Sequence, residues 1–134
     1  MATEIQINPL DFDTDIGVGL KTSFISDSKS FFGLNYTTFD QIKDNLINLL
    51  NTNKGERLMQ PEFGCDLRKM VFEQDVIVVP KIQNEVESCI GFWMPYLIID
   101  TFDIVTEENS VFVTLQFHVE YNESQQGEIQ LIID

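Results

Sequence analysis

The chain has 134 residues, 43% of them apolar, which suffices for one domain with a real core and is short for two. Its net charge of −14 excludes phosphate-backbone binding through clustered Lys and Arg, and makes nucleic acid and anionic membranes poor partners. No run of about eighteen apolar residues suggests a membrane span, and residues 1–13 lack the basic and apolar regions of an export signal.

The charge is unevenly placed. Six of the eight basic residues, Lys43, Lys54, Arg57, Arg68, Lys69 and Lys81, lie in the central part, and none follows Lys81. The C-terminal third is therefore acidic, a surface that aids solubility and would steer a basic partner. Cys65 and Cys89 fit no metal or redox spacing and read as reduced, buried small residues.

Residues 1–35 read as an extended arm. The spacing Asp11-x-Asp13-x-Asp15 invites a calcium loop, but Ile16 and Thr22 stand where the loop requires glycine and a bidentate glutamate. Alternation of Ile16, Val18 and Leu20 with glycines and Lys21 allows a short strand over 15–21. Ser23 to Asn35 is a loop whose Phe31 and Phe32 need a surface to cover.

Thr38 as N-cap, Gln41 three residues later and Asp40 in the first turn predict a helix from Thr38 to about Asn53. Its buried stripe is Phe39, Ile42, Leu46 and Leu49/Leu50. Gly55 is read as the residue just past its end, free to take positive φ. A corner follows at Pro61, Glu62, Phe63, Gly64 and Cys65. Asp66 then caps a short helix with Leu67, Met70 and Val71 inward. A third helix carries Pro80 near its first turn and a stripe of Ile82, Val86, Cys89/Ile90 and Trp93, and must stop near Met94-Pro95.

From Tyr96 the period becomes two. Strands are expected over 97–105, 111–119 and 128–134, with turns at Glu107–Ser110 and Asn122–Gly127. The fold class is α+β: three helices followed by a three-stranded antiparallel meander, in one domain over 36–134.

Chemistry is thinly represented. His118 lies on the polar face of the second strand with Thr114, Gln116 and Glu120 and lacks the companions of a triad or metal site. P-loop, dinucleotide and GxSxG fingerprints are absent, and no cofactor is implied. Glu56, Glu62 and Asp66 around the corner are the only carboxylates from which a pair for glycoside hydrolysis could come, and Glu56 beside Arg57 suggests an ion pair that lowers a carboxyl pKa.

The run from Ile42 through Leu50, then Thr52-Asn53-Lys54-Gly55-Glu56-Arg57, Pro61-Glu62-Phe63-Gly64-Cys65-Asp66-Leu67 and Val71-Phe72-Glu73, resembles the gene-25-like baseplate wedge family of contractile-tailed phages, with relatives in type VI secretion baseplates. That resemblance implies a non-enzymatic subunit of the virion tail baseplate, made in the host cytoplasm. Its implied partners are other wedge subunits, the tail sheath protein, and tail tube or hub proteins. It also implies that the sheath begins on its sheet. An older tail-lysozyme label leaves peptidoglycan hydrolysis as the alternative.

One departure matters. The family's Glu-Pro-Arg motif before the first strand, associated with docking on the core helical bundle of the wedge, is Met94-Pro95-Tyr96 in this chain. The expected substitute is an apolar contact through Trp93, Met94, Pro95 and Tyr96. The last strand, Glu128, Ile129, Gln130, Leu131, Ile132 and Ile133, lacks Lys, Pro and glycine to blunt an edge, so strand addition by the sheath is its expected use. A central position, or cover by the arm, is the alternative reading of that strand. The structural corner is assigned to Gly55, Glu56, Arg57, Pro61, Phe63 and Gly64.

Overall fold

In the computed structural model, residues 9–13, 15–21, 33–71, 75–108 and 110–133 are described, the side chains of 75–77 excepted. The arm's residues 1–8 and 22–32, with Phe31 and Phe32, lie outside them. A 3₁₀ turn at Pro9–Phe12 leads to β1 (Gly19–Leu20), β2 (Leu34–Asn35), α1 (Thr38–Asn51), α2 (Leu67–Met70) and α3 (Asp75–Trp93). The antiparallel strands β3 (Leu97–Glu107), β4 (Ser110–Val119) and β5 (Asn122–Ile133) complete the α+β architecture, in the order β3-β4-β5.

The core lies between the helices and one face of this sheet. Val111, Val113, Leu115, Phe117 and Val119 of β4 are all buried, and the alternate residues face the other way. Ile129, Leu131 and Ile133 of β5 share the buried face. Against it pack Ile42, Leu46, Leu49 and Leu50 of α1 and Val78, Ile82, Val86, Cys89 and Ile90 of α3. α1 rests on β5 and α3 on β3. Each fully buried side chain of this kind stabilises the fold by about 1.5–3 kcal/mol.

Helix α1 begins as its composition requires, but one residue out of the expected phase. Thr37 is the N-cap, with its Oγ1 accepting from Asp40 N at 3.2 Å. Thr38 instead donates both its backbone N–H and its hydroxyl to Asp11 Oδ1, each at 2.8 Å. An arm carboxylate thus takes the place expected of the Thr38–Gln41 box, and it sits where the helix dipole favours negative charge. The helix also ends earlier than expected, because Thr52 turns extended while its hydroxyl donates to Asn48 O at 2.6 Å. Gly55 therefore lies in the following turn and not at the residue after the helix.

Three further boundaries moved. α3 starts at Asp75, so Pro80 sits inside it; the apolar run Val76–Val79 hides a helix start from a periodicity argument. The turn expected at Asn122–Gly127 is instead strand, and the chain reverses at Glu120–Tyr121. Gly127 and Gln126 pair with Phe117 and His118 while Asn122 already pairs with Val119, so the polar residues between them form a bulge within β5. The short strand expected over 15–21 is confined to Gly19–Leu20, pinned to α1 by Asn35 of β2. That buried amide donates to Gln41 Oε1 at 3.1 Å and Asp44 Oδ2 at 2.6 Å.

Candidate functional site: the corner, the end of α3 and the edge of β5

The stretch Thr52–Cys65 is closed by its own backbone. Gly55 N donates to Pro61 O at 2.7 Å, Phe63 N to Gln60 O at 3.1 Å, and Cys65 N to Thr52 O at 2.8 Å. Glu56 braces the turn, accepting from Asn53 N at 3.2 Å and Asn53 Nδ2 at 2.8 Å. Positive φ occurs at Gly55 (92°) and Gly64 (119°), the conformations only glycine holds without strain. Arg57 pairs with neither Glu56 nor a carbonyl as its main contact. Its guanidinium lies over the Phe63 ring at 3.9 Å, a cation–π arrangement. Phe63 in turn meets Trp93 edge-on at 5.1 Å, and Trp93 meets Phe92 in the same manner at 5.1 Å.

These contacts join the corner to the end of α3. Cys89 Sγ donates to Gly64 O at 3.3 Å, and Lys54 Nζ bonds Glu85 Oε1 at 2.7 Å. A cavity of 340 Å³ lies between them, lined by Lys54, Glu62, Ser88, Cys89, Phe92 and Trp93. Of the residues assigned to wedge docking, Trp93 and Tyr96 are half-buried and Pro95 is exposed, whereas Met94 is buried in the core. Met94 caps the helix-to-strand junction, its N–H bonded to Ile90 O at 2.8 Å. It therefore offers a partner little surface. Burial raises the Tyr96 phenol above its ordinary value of 10.0, with the nearby Tyr121 adding to it.

Two of the three candidate carboxylates at the corner are engaged by neighbours, while Glu62 is exposed on the wall of the hollow. Glu56 is occupied by Asn53, and Asp66 Oδ1 lies 3.1 Å from Lys69 Nζ without an aligned hydrogen bond. Asp66 holds the N-cap position of α2 but makes no side-chain capping bond. The acid packed deepest at the corner is Glu85, which the sequence reading left without a role. Burial alone would raise its pKa, but the Lys54 hydrogen bond and charge, the Cys89 thiol and the Asp66 backbone N–H outweigh it and hold the carboxyl below 4.5. A glycosidase acid requires the opposite shift.

His118 is partly buried on the polar face of β4. Its Nδ1 lies 2.8 Å from both oxygens of Asp100. The register skips between Ile99 and Thr101, leaving Asp100 as the unpaired residue of a bulge that turns its carboxylate toward the histidine. Among the described residues no group of three or more His, Cys, Asp or Glu is disposed to hold a metal, and no helix is long and apolar enough to cross a membrane.

β5 is an edge strand among the described residues. It is neither central nor paired with the described part of the arm. Ile129, Leu131 and Ile133 point into the core, while Glu128, Gln130 and Ile132 face solvent, Ile132 at 61% exposure. On that outer face Val105, Phe112 and Ile132 stand in register across the three strands, an apolar row that ends at the open edge. The flanking rungs are polar: Asp103, Thr114 and Gln130, then Thr101, Gln116 and Glu128.

Two exposed features escaped the sequence reading. Phe92 is 71% exposed, and its signal was present: it falls off the Val78–Ile82–Val86–Cys89 stripe. Leu58 and Met59 are 97% and 93% exposed in a segment with no apolar periodicity to absorb them.

With this geometry, the family profile of "Baseplate wedge protein gp25" matches residues 38–128. The chain belongs to this baseplate wedge family. Baseplate wedge protein gp25 of Enterobacteria phage T4 is 28% identical over 123 residues, covering 88% of each chain. A chain in the baseplate of pyocin R2 after contraction superposes with a TM-score of 0.59 at 28% identity, over 70% of this chain and 95% of that one. Two more distant structures share the fold: a chain of the type VI secretion baseplate complex (TM-score 0.51, 13% identity, 70% and 92% covered) and a candidate tail lysozyme of Geobacter sulfurreducens (0.56, 23%, 70% and 86%). Membership in the family makes this chain a baseplate wedge protein of a phage-type tail, assembling with other baseplate proteins.

Proposed function

We propose that this baseplate wedge protein is a non-enzymatic subunit that starts the contractile sheath by lending the edge of β5 to a strand of the tail sheath protein. It docks on neighbouring wedge subunits, and through them faces tail tube or hub proteins, by the half-buried aromatic end of α3, Trp93 and Tyr96 with Pro95. Production in the host cytoplasm precedes incorporation into the baseplate.

The observation that carries this reading is the long edge β5, apolar on its inner side and unblunted by Lys or Pro. An added strand would satisfy its outward backbone groups and extend both faces of the sheet. Deleting residues 128–133 is a poor test, because three of them are core. The test is Gln130→Lys with Ile132→Lys, which charges the edge and leaves the core intact. Complete baseplates without sheath are the expected product, and wild-type numbers of sheathed tails would refute the reading.

Peptidoglycan hydrolysis is the competing activity. Turbidity of purified cell walls should not fall with wild-type protein. Clearing that Glu62→Gln abolishes would overturn the non-enzymatic assignment.

A further inference from the structure

The two faces of β5 ask different things of a neighbouring strand. Ile129, Leu131 and Ile133 are buried on the inner side, and Glu128, Gln130 and Ile132 alternate with them on the solvent side. The outer rungs keep apolar beside apolar and polar beside polar: Phe112 with Ile132, Thr114 with Gln130, Gln116 with Glu128. Among the described residues each of these β5 side chains has a strand neighbour on β4 and none on its other side. Ile132 is thereby left 61% exposed. Glu128 accepts only from amides, Gln116 Nε2 at 3.3 Å and Gln130 Nε2 at 3.4 Å, and neither donor brings a positive charge. Asp100 is engaged by His118, but among the described residues Asp103, Glu107 and Glu128 of the outer face make no ion pair. No Lys or Arg follows Lys81, so the sheet cannot supply one from its own strands.

We propose that the sheath strand joining β5 sets a Lys or Arg opposite Glu128, a polar side chain opposite Gln130 and an apolar one opposite Ile132. This rests on the sheath-nucleation reading and adds the chemistry of the incoming strand. Side chains directly opposite in neighbouring strands interact, opposite charges favourably and like charges unfavourably. On the inner side, apolar residues opposite Ile129, Leu131 and Ile133 continue the core, because the period of two fixes which face each residue meets. Every position opposite residues 128–133 is thereby assigned. The order of cation and outer apolar residue also gives direction: an antiparallel strand presents the apolar end first and the cation last, and a parallel strand the reverse. The same requirement excludes a second copy of this chain as the added strand. None of the described strands carries a Lys or Arg to set against Glu128.

The test counts sheathed tails assembled with Glu128→Lys and Glu128→Gln, and captures the added strand with a photo-crosslinking benzoylphenylalanine in place of Gln130. Glu128→Lys sets like charges opposite one another and should lower sheathed tails about 10-fold, Glu128→Gln about 3-fold. Glu107→Lys makes the same change of net charge on the outer face of β3 and should assemble normally. All three should keep the thermal midpoint, because both glutamates are exposed. The captured sheath peptide should carry a Lys or Arg two residues to one side of the crosslink and an apolar residue two residues to the other. Wild-type numbers of sheathed tails with Glu128→Lys, an equal loss with Glu107→Lys, or a captured sheath peptide without the cation would overturn the inference while leaving sheath nucleation on β5 standing. A crosslink confined to a second copy of this chain or to another baseplate protein would overturn both.

Discussion

Gly64 is the residue on which the corner depends, and Gly64→Ala is the perturbation that exposes this. Its φ of 119° is one that L side chains rarely adopt, and a Cβ built there falls 2.3 Å from Thr52 O and 2.9 Å from Thr52 C. Neither atom can retreat freely, since Thr52 O accepts Cys65 N at 2.8 Å and Gly64 O accepts the Cys89 thiol at 3.3 Å. The backbone conformation costs about 1–2 kcal/mol, and breaking the Thr52–Cys65 bond in a buried setting costs about 1–3 kcal/mol more. The expected total is about 3 kcal/mol, or ~10 °C in midpoint for a domain of this size. Gly55→Ala is the matched control: φ is also positive, at 92°, but nothing lies within 4 Å of its Cβ. It should cost only the conformational part, about 1–2 kcal/mol. Urea unfolding of both variants measures the difference. If Gly64→Ala lies within ~0.5 kcal/mol of Gly55→Ala, the ordinary scatter of surface substitutions, the close contact with Thr52 is not a constraint and the corner is not the rigid joint described.

Glu85 and Lys54 make stability depend on pH in a defined direction. The folded Glu85 carboxyl lies below 4.5, so its contribution is full above 4.5 and is lost as pH falls through the lowered value; Glu85→Gln should flatten that acid limb in thermal melts across pH. Lys54 is raised above 10.5 by the Glu85 hydrogen bond against its own burial, so its contribution is full below 10.5 and fades only as pH rises beyond it. Asp11→Ala removes two hydrogen bonds from the first turn of α1 and should cost about 1 kcal/mol, read by denaturant unfolding, with faster proteolysis ahead of residue 33. The hydrogen bond to Cys89, together with burial, pushes the Cys65 thiol far above its ordinary 9.0, so iodoacetamide should leave Cys65 unmodified in the native protein and label it once urea unfolds the chain.

The helices and the meander were legible because their apolar periods are long and unbroken. Ile42, Leu46 and Leu49/Leu50 are one stripe, and the alternation from Val111 to Val119 is strict; both faces are buried as read. What failed was local and polar. Thr37 and Thr38 are equivalent cap candidates in sequence, and the choice between them is made by Asp11, twenty-seven residues away. The polar segment Asn122–Gly127 has turn composition, yet it is drawn into β5 because Gly127 lets Phe117 and Phe39 close over the sheet, their ring tips 2.8 and 3.0 Å from where its Cβ would stand. The site residues were legible unevenly. Corner glycines announced themselves by type, whereas Met94 reads as surface beside Pro95 and is core, and Asp100 acquires its histidine only through a bulge that no spacing rule anticipates.

The placement of the two proposed surfaces gives the corner its functional meaning. Cys65 N–Thr52 O fixes the chain after α1, Cys89 Sγ–Gly64 O fixes α3 to the same point, and the Arg57–Phe63–Trp93 stack carries the constraint to the loop. α1 in turn underlies β5 and α3 underlies β3, so the loop tip and the open edge belong to one rigid body whose parts cannot rotate independently without opening the core. A wedge that grips the end of α3 would thereby set the direction in which β5 points. On the proposed role of β5, that direction has to be fixed before the first sheath strand arrives. On this argument a lengthened, flexible corner should be more harmful than loss of either surface's affinity alone: inserting glycines between Leu58 and Met59 leaves the joint intact, whereas inserting them between Phe63 and Gly64 should give baseplates that retain the subunit and yet start sheath poorly.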